Sequence, residues 1–82
     1  MNDPLVLHRF YHLNSGMAWY ATQYDEIDNL YYGLYIEGQE AIWIYFSLDE
    51  IESMNNVFVD LDFKPCNLSR VIEQYHPVEK II

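Results

Sequence analysis

The sequence predicts an α+β domain, a small curved antiparallel sheet of about five strands with two short helices. Three observations predict it. Turn-forming residues cut the chain into short runs. Most runs alternate apolar and polar residues with period two. Two segments switch to helical spacing, each opened by a capping residue. With 82 residues the chain is read as a single domain, residues 1–82.

LVLHRFYH, Leu5 to His12, follows Asp3-Pro4 and is read as the first strand. LNSG supplies a turn, because Asn, Ser and Gly favour local hydrogen bonds and positive φ. Met17 to Tyr24 is an aromatic-rich second strand. DEIDN, Asp25 to Asn29, is a polar hairpin loop. In Leu30 to Glu37, Leu30, Tyr32, Leu34 and Ile36 share one face and Tyr31, Gly33, Tyr35 and Glu37 the other. Gly38-Gln39 suits a tight turn. The run Ala41 to Phe46 places Ile42, Ile44 and Phe46 opposite Trp43 and Tyr45.

SLDEIESM, Ser47 to Met54, reads as a helix. Ser47 caps it, Glu50 stands where a capping box requires it, and Leu48, Ile51 and Met54 or Asn55 look inward. Asn56 to Phe63 returns to strand period, with Val57, Val59, Leu61 and Phe63 inward and Phe58, Asp60 and Asp62 outward. NLSRVIEQY, Asn67 to Tyr75, is the second helix, capped by Asn67. Its Leu68, Val71, Ile72 and Tyr75 fall at i, i+3, i+4 and i+7. Residues 78–82 are expected to fray or pair weakly. Both helices are expected on one face of the sheet.

Hydrophobic residues make up 51% of the chain, enough for a core. No apolar run approaches the roughly 18–20 residues of a membrane span, and MNDPLVLHRF has no signal-peptide pattern. The single cysteine, Cys66, has no partner for an internal disulfide. A soluble, cytoplasmic protein is expected, with no membrane contact. Four basic residues face thirteen acidic ones, for a net charge of −9. Arg9, Lys64, Arg70 and Lys80 are too few to replace the counterions of a phosphate backbone, so direct nucleic-acid binding is not expected. A basic partner is electrostatically easier to approach.

Two short helices on one face would leave the other face carrying Tyr31, Tyr35, Trp43 and Tyr45. These residues stabilise a small sheet as cross-strand pairs, or they form a contact surface rimmed by Asp25, Glu26, Asp28, Glu37 and Glu40.

WYATQYD, LYYGLYIEG, YFSLDEIES and VDLDFKPCNLS, in this order, resemble the bacterial family called domain of unknown function 2958. Asp3-Pro4-Leu5-Val6 fits its first strand, and the likeness runs from Asp3 to about Val71. The chain departs from that pattern at Ile42-Trp43-Ile44, and the family's short N-terminal helical segment is expected to be missing. The resemblance implies cargo of plasmids, integrative elements or phages, with no enzymatic role to carry over.

Chemistry finds little support in the residue pattern. Cys66 precedes a helix N-terminus, and a cysteine nucleophile needs a base, for which His8, His12 and His76 are the candidates. Asp60 and Asp62 would sit about 7 Å apart on a strand face, while His8 and His12, about 13 Å apart, cannot chelate one ion unaided. Gly16, Gly33 and Gly38 are isolated and form no phosphate loop. The chain is expected not to be an enzyme and to hold no metal or cofactor.

Two functional readings follow. In the first, the protein binds and inhibits or modulates a host protein with a basic surface, such as a restriction or CRISPR effector. Asp25, Glu26, Asp28, Glu37, Glu40, Asp49, Glu50, Glu52, Asp60 and Asp62 would then mimic nucleic-acid phosphates. In the second, it is a homodimeric structural or regulatory module that pairs through the tyrosine-rich face.

Overall fold

The structure, a computed structural model, describes residues 3–77. The expectation for residues 78–82 lies outside them. In chain order the elements are β1 (Leu5–Val6), β2 (His8–His12), β3 (Ala18–Asp25), β4 (Leu30–Glu37), β5 (Glu40–Phe46), α1 (Leu48–Ser53), β6 (Val57–Val59), β7 (Cys66–Asn67) and α2 (Leu68–Tyr75). An open five-stranded antiparallel sheet has the order β5-β4-β3-β2-β6. A separate two-stranded sheet pairs β1 with β7. The α+β class holds, and the main sheet has the expected number of strands.

The run Leu5 to His12 is not one strand. Val6 pairs with Cys66, while His8 pairs with Ala21, so the chain changes sheets at Leu7. The Leu7 amide still bonds the Ala21 carbonyl at 2.8 Å, which keeps the break narrow. The run Asn56 to Phe63 also breaks. After Val59 the Asp60 carboxylate accepts the Asp62 amide at 3.1 Å and turns the chain. Leu61, expected inward, is therefore 88% exposed, and Phe63 crosses to pack on the other side of the sheet, against Tyr75.

Register decides which residues share a face. Glu37 pairs with Glu40 around the two-residue turn Gly38-Gln39, and Gly38 has φ 61°. The pairing then runs Ile36 with Ala41, Tyr35 with Ile42, Leu34 with Trp43 and Gly33 with Ile44. Directly paired residues point to the same side. Leu34 and Ile36 consequently share a face with Trp43 and Tyr45, not with Ile42, Ile44 and Phe46 as the apolar pattern alone suggested.

Each face has its own core. On the first, Ala18, Tyr20, Leu34 and Ile36 are buried under Val6 of β1 and Val71 of α2. On the second, Phe10, Trp19, Ala21 and Phe46 are buried under Ile51 of α1. The helices therefore lie on opposite faces, which corrects the expectation of one shared face. The second core also explains why Ile51, alone in its six-residue helix, is buried.

The helix starts behave differently. The Ser47 hydroxyl accepts the Glu50 amide at 3.0 Å, as the capping pattern requires. Asn67 occupies the cap position of α2, but its side chain makes no cap bond. The distant Asp3 carboxylate accepts the Ser69 amide at 2.7 Å instead, and the Asn67 side chain donates to the Asp3 carbonyl. These bonds to Ser69 hold the Asp3 carboxyl below its ordinary range. They also tie the beginning of the chain to α2, across the β1–β7 sheet.

Gly33 sets the β3–β4 distance. It pairs with Ala21 next to a bulge, where Thr22 is the extra residue and bonds the Tyr32 carbonyl. A Cβ at position 33 would stand 2.0 Å from the Tyr20 carbonyl oxygen, which is backbone and cannot swing away. Gly33→Ala is expected to force the two central strands apart and cost about 3 kcal/mol or more in denaturant unfolding. A loss below about 0.5 kcal/mol would contradict this reading of the contact.

Candidate functional site

The structure sorts the acidic residues by element. Asp25, Glu26 and Asp28 lie at the β3–β4 loop. The Asp25 carboxylate accepts the amides of Ile27 and Asp28, at 2.9 and 3.3 Å, and Asn29 closes the loop with φ 55°. Glu37 and Glu40 flank the β4–β5 turn at the opposite end of the sheet. The length of β4 separates these two groups by about 23 Å. Asp49, Glu50 and Glu52 project from α1, which starts directly after Phe46 at the β3–β4-loop end of β5. All of these acids except the half-buried Asp25 are exposed.

Asp60 and Asp62 do not belong with them. Asp60 Oδ2 is 3.0 Å from Arg9 Nη1, and the two side chains are only 17% and 16% exposed. The pair is shielded, so Asp60 is not a free surface charge. Asp62 is exposed, but it shares a groove with Lys64 and Arg70 beside α2. The expected strand face carrying both acids is replaced by the turn described above.

The aromatic set divides in the same way. Tyr31 and Tyr35 lie on the face of α1, where Tyr31 contacts Phe46 and Tyr24 and Tyr35 contacts Trp19. Burial, and then the neighbouring Glu37 carboxylate, raises the Tyr35 phenol above its ordinary pKa. Trp43 and Tyr45 lie on the face of α2. There they join Tyr32, a residue the sequence reading left out of the site. The Tyr32 and Trp43 rings stack at 5.4 Å and 16°, and Tyr32 meets Tyr45 at 4.8 Å. A single contact face built from Tyr31, Tyr35, Trp43 and Tyr45 is therefore not available. The aromatic patch on that face is Tyr32–Trp43–Tyr45, at the β5 edge of the sheet, with Tyr45 exposed and Tyr32 and Trp43 half-buried.

A polar network that the sequence reading missed lies on the same face as α2. Tyr20 is fully buried, and its hydroxyl is 2.7 Å from His76 Nε2. Arg9 Nε donates to the same oxygen at 3.3 Å and Nη1 holds Asp60. The Arg9 guanidinium also lies 4.2 Å from the Tyr75 ring centroid and 4.9 Å from that of Tyr11. Arg9 can only donate, and the buried Tyr20 proton needs an acceptor, so it is assigned to His76, which then accepts as a neutral ring protonated at Nδ1. Burial, and then the Arg9 charge, lowers the His76 pKa, in agreement with that state. Burial raises the Tyr20 phenol, so it stays protonated. The network binds β2, β3, α2 and the Asp60 turn together.

Cys66 is half-buried in β7 and packs on the core beside Val6 and Val71. His8 lies on the other side of the sheet, its ring 5.9 Å from that of Tyr31, and His12 shares its face by strand alternation. The sheet separates both histidines from Cys66. Among the described residues, no group of three or more His, Cys, Asp or Glu is placed to hold a metal. No described helix is long and apolar enough to cross a membrane.

Comparison with known proteins gives no match to a family model, a curated protein or a solved structure.

The His76 bond carries a sign. Its folded pKa lies below the ordinary 6.5, so the unfolded chain takes up the proton more readily. The stabilisation is complete above about pH 6.5 and is lost as pH falls through the lowered folded value. His76→Gln keeps an acceptor for Tyr20 but cannot be protonated. Its denaturant midpoint is expected to fall less than that of the unaltered protein between pH 7 and pH 5. Parallel pH profiles for the two would refute the neutral-acceptor assignment.

Proposed function

We propose that this protein is a small, acidic, non-enzymatic interaction protein that binds a partner with a basic surface. The observation that carries the reading is a segregation of charge. Between Arg9 and Lys64 the chain has no Lys or Arg, and that span supplies β3, β4, β5, α1 and β6. Apart from Asp62, its exposed carboxylates occur at both ends of the β4–β5 hairpin and along α1. The exposed cations Lys64 and Arg70 lie apart, beside α2. A surface of one sign draws in a partner of the other and discriminates against wrong ones.

A basic surface of this kind is what a nucleic-acid-handling protein presents to phosphates. The resemblance to domain of unknown function 2958 adds carriage on plasmids or phages. Together they favour a host target such as a restriction or CRISPR effector, inhibited or modulated by carboxylates that stand in for phosphates. Asp25, Glu26, Asp28, Glu37, Glu40, Asp49, Glu50 and Glu52 are the residues assigned to this role. Asp60, spent on Arg9, and Asp62, beside two cations, are not.

The test is capture of partners from a bacterial lysate on the tagged full chain, with elution by salt and then heparin. The expected partner handles nucleic acid, and its affinity falls tenfold or more between about 0.05 and about 0.5 M salt. Converting Glu37, Glu40, Asp49 and Glu50 to their amides should weaken it at least as much without lowering thermal stability. Binding indifferent to salt, heparin and these substitutions would end the reading.

A further inference from the structure

The two edges of the main sheet are unlike. The β6 edge is three residues long, starts after Asn56 at φ 64° and ends at the Asp60 turn. Short strands and turns of this kind are how natural sheets blunt their edges. The β5 edge is seven residues long, EAIWIYF, and among the described residues its only sheet partner is β4. Its register with β4 is unbroken from Glu40 to Phe46, so no bulge twists it away. It contains no proline and no lysine. Ile42 is 55% exposed and Tyr45 64%.

The backbone groups of this edge follow from the turn. In a two-residue hairpin the flanking pair, here Glu37 and Glu40, exchanges both hydrogen bonds, and bonded pairs alternate from there. Ile42, Ile44 and Phe46 therefore direct their amides and carbonyls to β4. Ala41, Trp43 and Tyr45 direct theirs outward. An unpaired row of this length is a template for one more strand.

Charge selects the occupant. Glu37 and Glu40 stand at one end of the edge, and Asp49 and Glu50 at the other, with no Lys or Arg in between. The edge itself is apolar. Two copies related by a two-fold axis would pair their β5 strands antiparallel, placing Glu37 and Glu40 of one against Asp49 and Glu50 of the other at both ends. Like charges so placed oppose the pairing. A segment with Lys or Arg at its two ends and alternating apolar residues between meets attraction at both ends.

We propose that the β5 edge takes up an extended, basic-ended segment of a partner protein as a sixth strand. The inference rests on the basic partner proposed above and gives it a mode of contact. Main-chain bonds from Ala41, Trp43 and Tyr45 supply the ladder. Side chains of the added strand pack beside the Trp43–Tyr45 patch on one face and Ile42 and Ile44 on the other.

The probe is a synthetic peptide with two lysines at each end of a Val-Thr-Val-Thr-Val centre, added to the full chain while amide exchange is followed residue by residue. The expected result is slowing of tenfold or more at Ala41, Trp43 and Tyr45, with no change at Ile42 and Ile44. Replacing the four lysines by glutamates should weaken binding tenfold or more. Ala41→Pro removes an outward amide without touching the β4 ladder, and should weaken it tenfold with circular dichroism and melting temperature retained. Tyr45→Lys, which adds a repelling charge at an exposed site, should do the same.

No slowing at β5 with about 1 mM peptide overturns the proposal. So does protection of the outward amides in the free protein at a mass near twice 9.9 kDa, since a second copy then fills the edge. Salt-sensitive binding that perturbs only the β3–β4 loop and α1 would sink the edge mode and leave the acidic-surface reading standing. Equal protection by lysine-ended and glutamate-ended peptides would sink the selection by charge, on which the basic-partner reading also depends.

Discussion

The central strand has to be covered on both sides. Ala18, Trp19, Tyr20 and Ala21 are consecutive in β3 and all four are buried. Consecutive strand residues point to opposite faces, so no single layer can remove them from water. Antiparallel sheets commonly leave one face solvated, and the middle of this one does not. Hence α1 and α2 lie on opposite faces, and the β1–β7 pair lies beside α2 as further cover. Each core is small, and neither helix alone would close the molecule.

That constraint also explains the placement of the polar groups. Tyr20 is the largest fully buried side chain among the described residues, and burying its hydroxyl unpaired would cost about 1–3 kcal/mol. Arg9 and His76 satisfy it from two sides, and Asp60 neutralises Arg9. The one cation on the central strands is thus consumed by the fold. What remains on β3, β4, β5 and α1 is acid alone. The negative surface is a consequence of where Arg9 is used as well as of composition. Surfaces of like charge repel one another, which offers a reason why a long apolar edge at β5 is tolerated.

Much of this was legible before folding. The hairpin turns, the capping serine of α1, the apolar stripe of α2 and the α+β class all follow from local periodicity and turn chemistry, and the structure has each of them. The division of the aromatic residues was legible too, but by a different argument. The two-residue turn at Gly38-Gln39 pairs Glu37 with Glu40, and that parity alone sets Trp43 beside Leu34. Grouping residues by hydrophobicity hid it, because Ile42, Ile44 and Phe46 look like companions of Leu34 and Ile36. With both faces of the sheet buried, apolar residues no longer mark one side.

The sequence by itself determined the local elements, the excess of carboxylate and the long stretch without a cation, because these depend on neighbours a few residues apart or on composition. Only the tertiary structure decided that Asp3 caps a helix 66 residues away, that Asp60 is withdrawn into an ion pair and that Tyr20 joins Arg9 to His76. It also decided that β5 is left as the long edge strand among the described residues. Those outcomes depend on which strand ends up at the rim and which side chains meet across the sheet. Such contacts are set by the need to bury β3 on two faces at once, which no short window of residues contains.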